Sequence, residues 1–394
     1  MRLGVAGLGR AFTLMVPTFT ADPRVKLVAA ADPRKEARSR FAADFGGRVY
    51  DSVEGLCGDA ALDVVYVATP HQFHAQHVAI AASAGKHVLV EKPMAITLAE
   101  CQAMIAAAES AGVKLVVGHS HSFNAPILRA RALIDSGEVG RVRMITALNF
   151  TDFLYRPRRP EELNTESGGG VLFSQAAHQI DIVRLLGGGL VRSVRAATGS
   201  WDPTRPTEGA YSALLTFEDG AFASVVYSGY GHFDSDEFCG WTGEMGHAKD
   251  RSRYGSARRM LQQVSSVEEE TALKSTRAYG GAGYSASAPG SDGPLHQHFG
   301  PLIVSCERAD LRPLPTGVMI YGDAAQRLDP LPVPEVPRAE VVDEMYEAVF
   351  EDSPPVHSGR WALATTEVCL AMLQSAREQG EMILRHQVGL PDRR

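Results

Sequence analysis

Val88-Leu89-Val90-Glu91-Lys92-Pro93 is an apolar strand that runs into a charged corner and stops on a proline. A strand ending this way sets a carboxylate and an ammonium at the carboxyl edge of a sheet, where open α/β folds bind their ligands. Lys92 is therefore read as the catalytic centre, with Glu91 beside the cofactor. The plainer alternative is a solvated strand end whose proline opens the next helix.

Upstream, Arg2 to Gly7 reads as a first buried strand and Gly7-Leu8-Gly9-Arg10-Ala11-Phe12 as the turn into a helix. Glycines at this spacing let the backbone turn tightly and approach a pyrophosphate, which then sits on the free N–H groups of the helix start. Gly7, Leu8, Gly9 and Arg10 are the expected contacts. The usual third glycine is Phe12, so a ring must pack where the helix normally touches a strand. A second strand, Lys26 to Ala31, ends at Asp32, 25 positions beyond Gly7. That is close to the spacing of the carboxylate that takes a ribose hydroxyl, which favours NAD. Arg34 and Arg38 follow and leave NADP open, since either could pair with a 2'-phosphate.

Further strands are expected near Arg48 to Tyr50, Asp63 to Ala68, His87 to Val90 and Lys114 to Gly118, with helices at Pro33 to Phe45, Ala75 to Ala84 and Leu98 to Ala111. This alternation implies a doubly wound parallel sheet, an α/β Rossmann domain over residues 1–122. The turn Thr69-Pro70-His71-Gln72-Phe73-His74 leaves the fourth strand toward the same crevice, so Thr69, Pro70, His71 and His74 join the expected cofactor contacts.

The pattern then changes. Residues 123–394 read as an α+β domain for substrate binding and oligomerisation. Its strands at 141–149, 191–199, 210–217, 221–227, 302–307 and 318–322 have little helix between them, which favours an open, mainly antiparallel sheet. Helices flank it at 172–186, 338–350 and 361–379. Residues 231–300 are rich in Gly, Ser and His and read as a long excursion, a lid or a contact arm.

Composition removes several function classes. A net charge of -7 over 394 residues argues against nucleic-acid or anionic-membrane partners. No run reaches the ~18 apolar residues of a membrane helix. The five cysteines are far apart, as in a reduced, cytoplasmic protein. His119 and His121 share a strand face, but two histidines are too few to specify zinc, so no metal is expected and both are placed on the substrate cleft.

A second constellation is Gly168-Gly169-Gly170, followed by Ser174-Gln175 and His178-Gln179-Ile180-Asp181. A regular helix puts Ser174, His178 and Asp181 on one face. His178 is suited to accept a proton near neutral pH; the common alternative is a core histidine bonded to a carbonyl. Arg156, Arg158 and Arg159 precede this helix and read either as carboxylate-binding forks or as a solvated basic loop.

Gly7-x-Gly9, Asp32, Thr69-Pro70, Glu91-Lys92-Pro93 and the triple glycine before His178-x-x-Asp181, in this order, resemble the glucose-fructose oxidoreductase, inositol dehydrogenase and MocA (Gfo/Idh/MocA) family. Within it, the segments 149–163 and 173–181 look most like the phthalate 4,5-cis-dihydrodiol dehydrogenases. The resemblance implies a nicotinamide cofactor in the cleft between a Rossmann domain and an open sheet, with Lys92 and His178 handling a substrate hydroxyl. It also implies substrate contacts from Ser174, Gln175 and the arginines. Many members carry Asp where this chain has Ser174; either Asp181 serves as the carboxylate partner of His178, or the site is tuned for another substrate. Oxidation of a ring alcohol follows, with a sugar or cyclitol dehydrogenase and a non-catalytic nucleotide sensor as the alternatives. A bare sheet face leads to the expectation of a homodimer or homotetramer.

Overall fold

The structure, a computed structural model, describes residues 1–284 and 294–391. The remainder of the expected excursion, 285–293, lies outside the described residues. The first half follows β1 (Arg2–Ala6), α1 (Arg10–Ala21), β2 (Lys26–Ala31), α2 (Lys35–Phe45), β3 (Arg48–Tyr50), α3 (Val53–Cys57), β4 (Val64–Val67), α4 (His74–Ser83), β5 (His87–Val90), α5 (Leu98–Ala111) and β6 (Leu115–Val117). Its sheet runs β3-β2-β1-β4-β5-β6, all parallel. Strand order reverses between β1 and β4, which opens a crevice beyond their carboxyl ends. β4 is buried along its whole length because helices cover both faces.

After α6 (Ala125–Asp135) come β7 (Val142–Phe150), α7 (Ala177–Leu186), β8 (Val191–Gly199), β9 (Ala210–Phe217), β10 (Phe222–Ser228), α8 (Ser256–Leu261), α9 (Val267–Ser275), β11 (Leu302–Cys306), β12 (Ala309–Leu314), β13 (Gly317–Gly322) and β14 (Gln326–Pro330). α10 (Ala339–Phe350), α11 (Gly359–Glu378) and β15 (Met382–Ile383) close the chain. Nine strands form one sheet in the order β14-β13-β12-β11-β7-β10-β9-β8-β15. It is antiparallel except where β7 and β10 run side by side in the same direction. One face packs on α6 and α7. On the other, Met144, Leu214, Phe222 and Ile303 are exposed.

The C-terminal helices return to the first domain, which a division at residue 122 does not convey. Val341, Val342 and Met345 of α10 share a core with Leu3, Val5 and Phe12. α11 places Ala362 and Leu363 in the Rossmann core, and Trp361, Val368 and Met372 in the core of the second domain. A helix buried on more than one side fixes the two domains together, and so fixes the cleft between them. Among the described residues, no helix is long and apolar enough to cross a membrane.

Candidate active site

Gly7 has φ +94°, and a Cβ there would lie 2.8 Å from the Ala68 carbonyl oxygen, so the β1–α1 turn admits only glycine. Gly9 caps α1, and a Cβ on it would meet nothing nearer than 4.0 Å. Phe12 is accommodated by an aromatic cluster: its ring centroid lies 6.1 Å from that of Phe41 and 5.1 Å from that of Tyr279. Helix–strand contact is thus replaced by ring packing, with Tyr279 supplied by the excursion.

Asp32 is buried at the end of β2. It accepts from the Leu8 N–H at 2.8 Å, while Arg34 Nε donates to it at 3.0 Å. Arg34 also donates to the Leu8 carbonyl at 2.7 Å. Arg38 turns aside to the carbonyls of Asp32 and Pro33. Of the histidines placed at the cofactor, His71 bonds the Ser167 carbonyl at 3.0 Å. His74 is instead a strut: its ring nitrogens face the Pro93 carbonyl at 3.1 Å and the Thr69 carbonyl at 2.9 Å. It ties the β4–α4 turn to the Glu-Lys-Pro corner, and burial pushes its pKa down to about 4. The Thr69 hydroxyl bonds His77 at 2.9 Å.

At the corner, Lys92 Nζ donates to the Ser174 carbonyl at 2.9 Å. The strand end and the His178 segment thereby meet, 82 residues apart in the chain. Burial pushes the Lys92 pKa down to about 8, against the pull of Glu91 and Glu244; Arg158 and Arg338 act in the same direction as burial. Glu91 accepts a hydrogen bond from the Tyr66 hydroxyl and is raised by its own burial.

Residues 172–176 form a π-turn ahead of α7, a widening common at functional sites. It breaks the expected single face. The Ser174 hydroxyl bonds back to the Gly170 carbonyl. The preceding glycines are obligatory: a Cβ on Gly170 would lie 2.0 Å from Glu208 Oε1, and one on Gly168 would lie 2.4 Å from the Ile96 side chain.

His178 Nδ1 accepts the backbone N–H of His121 at 3.3 Å. Burial and the charge of Lys92 hold its pKa well below the ordinary histidine value. The His121 ring is 4.7 Å from His178 and 5.3 Å from His119. Phe299 completes the wall, 5.1 Å from His178. Gln175 accepts from the Tyr227 hydroxyl at 3.3 Å.

The expected pairing of Asp181 with His178 does not form. Asp181 turns to α11, accepting from Trp361 Nε1 at 2.6 Å, from the Thr365 hydroxyl at 2.8 Å and from Ser122. With three donors already on it and 4% exposed, it is a buried structural carboxylate.

The arginines separate. Arg156 bonds Asp152 at 3.0 Å and lies 3.9 Å from Glu244. Arg159 reaches Glu161 at 3.2 Å and Glu162 at 3.5 Å. Arg158 stacks on Phe153, 3.5 Å from the ring centroid, donates to the Phe153 carbonyl at 2.8 Å and lies 3.8 Å from Glu162. Its Nε is buried with no hydrogen-bond partner, and burial brings its pKa down to about 10. Sequence reasoning missed Tyr66, Glu244, Phe299 and Arg338. The last is half-buried and held by Gln297 at 3.1 Å, and its charge acts on Lys92, His119 and His178. All four approach from separate elements, and only the Pro337-Arg338 start of α10 carried a local signal.

Residues 1–119 match the sequence profile of an oxidoreductase family with an NAD-binding Rossmann fold, and residues 127–248 match the GFO/IDH/MocA C-terminal domain. The chain belongs to the Gfo/Idh/MocA family. Among its relatives, the 1-carboxy-3-chloro-3,4-dihydroxycyclohexa-1,5-diene dehydrogenase of Comamonas testosteroni is 49% identical, over 96% of each chain. A 1,5-anhydro-D-fructose reductase of Ensifer adhaerens is 35% identical over 47% of this chain and 55% of its own. The crystal structure of a dehydrogenase from Bordetella bronchiseptica RB50 superposes with a TM-score of 0.92 at 42% identity, covering 98% of this chain and all of the other. As a Gfo/Idh/MocA member, the protein is an NAD(P)-dependent dehydrogenase. The glycine turn, the open approach at Gly9 and the carboxylate at the end of β2 fit that cofactor.

Proposed function

We propose that the protein oxidises a carboxylated cis-dihydrodiol of a six-membered ring to a catechol, with NAD as the acceptor. The observation that carries this proposal is Arg158: a stacked, desolvated guanidinium with an unpartnered Nε, whose charge reaches Lys92. A substrate carboxylate satisfies that donor. The name of the Comamonas relative, a dehydrogenase of a carboxylated dihydroxycyclohexadiene, supports the same chemistry.

The cofactor, when bound, accepts hydride from the carbinol carbon. Lys92, brought close to neutrality, takes the hydroxyl proton at Nζ. A backbone N–H aimed at His178 Nδ1 requires a lone pair there, so the neutral ring carries its proton on Nε2. His178 therefore holds the substrate oxygen by donating to it, and the expectation that it acts as the base gives way to Lys92. The ketone then tautomerises to the catechol, and the aromaticity gained draws the reaction forward. Asp32, whose side-chain oxygens accept from the Leu8 N–H and from Arg34, leaves no favourable place for a 2'-phosphate, which supports NAD over NADP.

The open sheet face with Leu214, Phe222 and Ile303 supports a homo-oligomer, checked by a sizing column. The substrate class is tested by following NADH formation with carboxylated and uncarboxylated cis-dihydrodiols, sugars and cyclitols side by side. Preference for the carboxylated dihydrodiol, lost in Arg158→Gln, is the expected result. Turnover of sugars alone removes the proposal.

A further inference from the structure

His357 lies in the connection between α10 and α11 and is buried. Its carbonyl accepts the Val117 N–H at 2.9 Å and Ser358 pairs with Val116, so the connection runs along β6, the edge strand of the Rossmann sheet. On the α10 side, the His357 N–H donates to one oxygen of Glu344 at 2.6 Å, and Nδ1 faces the other at 3.0 Å. On the cleft side, Nε2 lies 2.8 Å from the Ser122 hydroxyl, 235 positions away in the chain, and the ring stacks on Phe123 with centroids 3.6 Å apart. Backbone and side-chain bonds on both sides fix the orientation of this imidazole.

Ser122 has a single hydroxyl proton, which it donates to Asp181 of α7, so toward His357 its oxygen accepts and Nε2 donates. Ser122 and Phe123 belong to the turn His121–Phe123, in which the Phe123 N–H bonds the Ser120 carbonyl and the Asn124 N–H bonds the His121 carbonyl, at 3.2 Å each. That turn meets α7 on two rungs: the Ser122–Asp181 bond, and the His121 N–H on His178 Nδ1. Positions 178 and 181 share a helix face, as 121 and 122 share the turn, so the first rung sets the register of the second. The second rung is 3.3 Å long, at the weak end for such a bond, and a small displacement of the turn breaks it.

We propose that His357 and Ser122 are positioning residues that hold the His121 N–H on His178, and so keep the imidazole with its proton on Nε2. Both are buried, Ser122 fully, and they act through the turn rather than on the substrate itself. The consequence for catalysis rests on the donor role of His178 proposed above.

The test spares His357, whose loss takes a partner from the buried Glu344 and endangers the fold. Ser122→Ala removes only the bridging hydroxyl, since His357 Nε2 and Asp181 Oδ2 are 3.7 Å apart and can close on each other. Thr365→Val, which removes a donor from the other oxygen of the same carboxylate, is the control. Full-length protein labelled with ¹⁵N at histidine is read by NMR without substrate, the His178 ring nitrogens being those missing from His178→Gln. The His178 Nδ1 resonance should move in Ser122→Ala and stay in place in Thr365→Val. With NAD and the carboxylated cis-dihydrodiol, kcat of Ser122→Ala should fall about tenfold, the scale of one hydrogen bond, with KM for NAD within twofold of wild type. Thr365→Val should keep its kcat. An unmoved His178 resonance in Ser122→Ala, or an equal shift in Thr365→Val, overturns the proposal. A moved resonance with unchanged kcat supports the positioning and removes the catalytic role of His178 instead. Wild-type enzyme that leaves the dihydrodiol untouched removes the substrate reading, while the resonance still decides the positioning.

Discussion

The backbone N–H of His121 donates to Nδ1 of His178 across 3.3 Å, joining residues 57 positions apart. One hydrogen bond fixes the tautomer of the imidazole and leaves Nε2 as its donor, the atom the proposed reaction sets on the substrate oxygen. In the proposed reaction, a donor on one side of the oxygen and an amine near neutrality on the other divide the work between His178 and Lys92.

His178→Gln keeps an N–H donor near Nε2, whereas His178→Leu does not. Loss of a donor to a developing oxyanion costs about 10²–10³ in rate. His178→Leu should lose about that much turnover and His178→Gln should recover at least tenfold of it. Steady-state kinetics with equal loss in both variants would return the role of base to His178.

Lys92 must be neutral to accept a proton, and its pKa is about 8. The rate of alcohol oxidation should therefore fall as pH drops below about 8 and level off above it. Lys92→Met should lose about 10²–10⁴ of kcat/KM and that limb of the profile with it. A profile of kcat/KM against pH measures both, and an unchanged limb in Lys92→Met would assign it elsewhere.

Asp181 is bonded to Trp361, Thr365 and Ser122 in the core. Asp181→Ala leaves these donors unsatisfied and should cost about 3 kcal/mol of stability, with red-shifted tryptophan emission. Denaturant unfolding gives the cost. A fully stable Asp181→Ala that has lost turnover would restore the catalytic role expected from sequence.

His74 is 1% exposed, and its pKa of about 4 lies below the unfolded value near 6.5. The unfolded chain binds the proton more readily, so the stability linked to His74 is complete above about pH 6.5 and is lost as pH falls toward 4. The full shift is worth about 3 kcal/mol. His74→Asn should be less stable than wild type at pH 7.5 and have a shallower acid limb between these values. Parallel limbs would show that other groups carry it.

Much of the first domain could be read along the chain because each βαβ unit is local. His87 to Val90 and Leu98 to Ala111 occupy their expected spans without change, because strand and helix periods are written in adjacent residues. In the second domain, β12 and β14 escaped notice. Their apolar residues, such as Leu311 and Leu328, are interrupted by arginine, aspartate and proline, and the strands are specified by their pairing with β13. The aspartate at His178-x-x-Asp181 was legible as a residue but not as a role, since its donors come from α11.

The sequence by itself determined the Rossmann half, the glycine turn at Gly7, and the presence of Lys92 and His178, because local steric rules and hydrophobic period specify them. Tertiary structure alone decided which groups the three arginines meet, which way the His178 imidazole points its proton, and where the excursion docks. Those outcomes depend on hydrogen bonds and desolvation between segments far apart in the chain, and no local pattern encodes which donor will meet which acceptor once the domains close on each other.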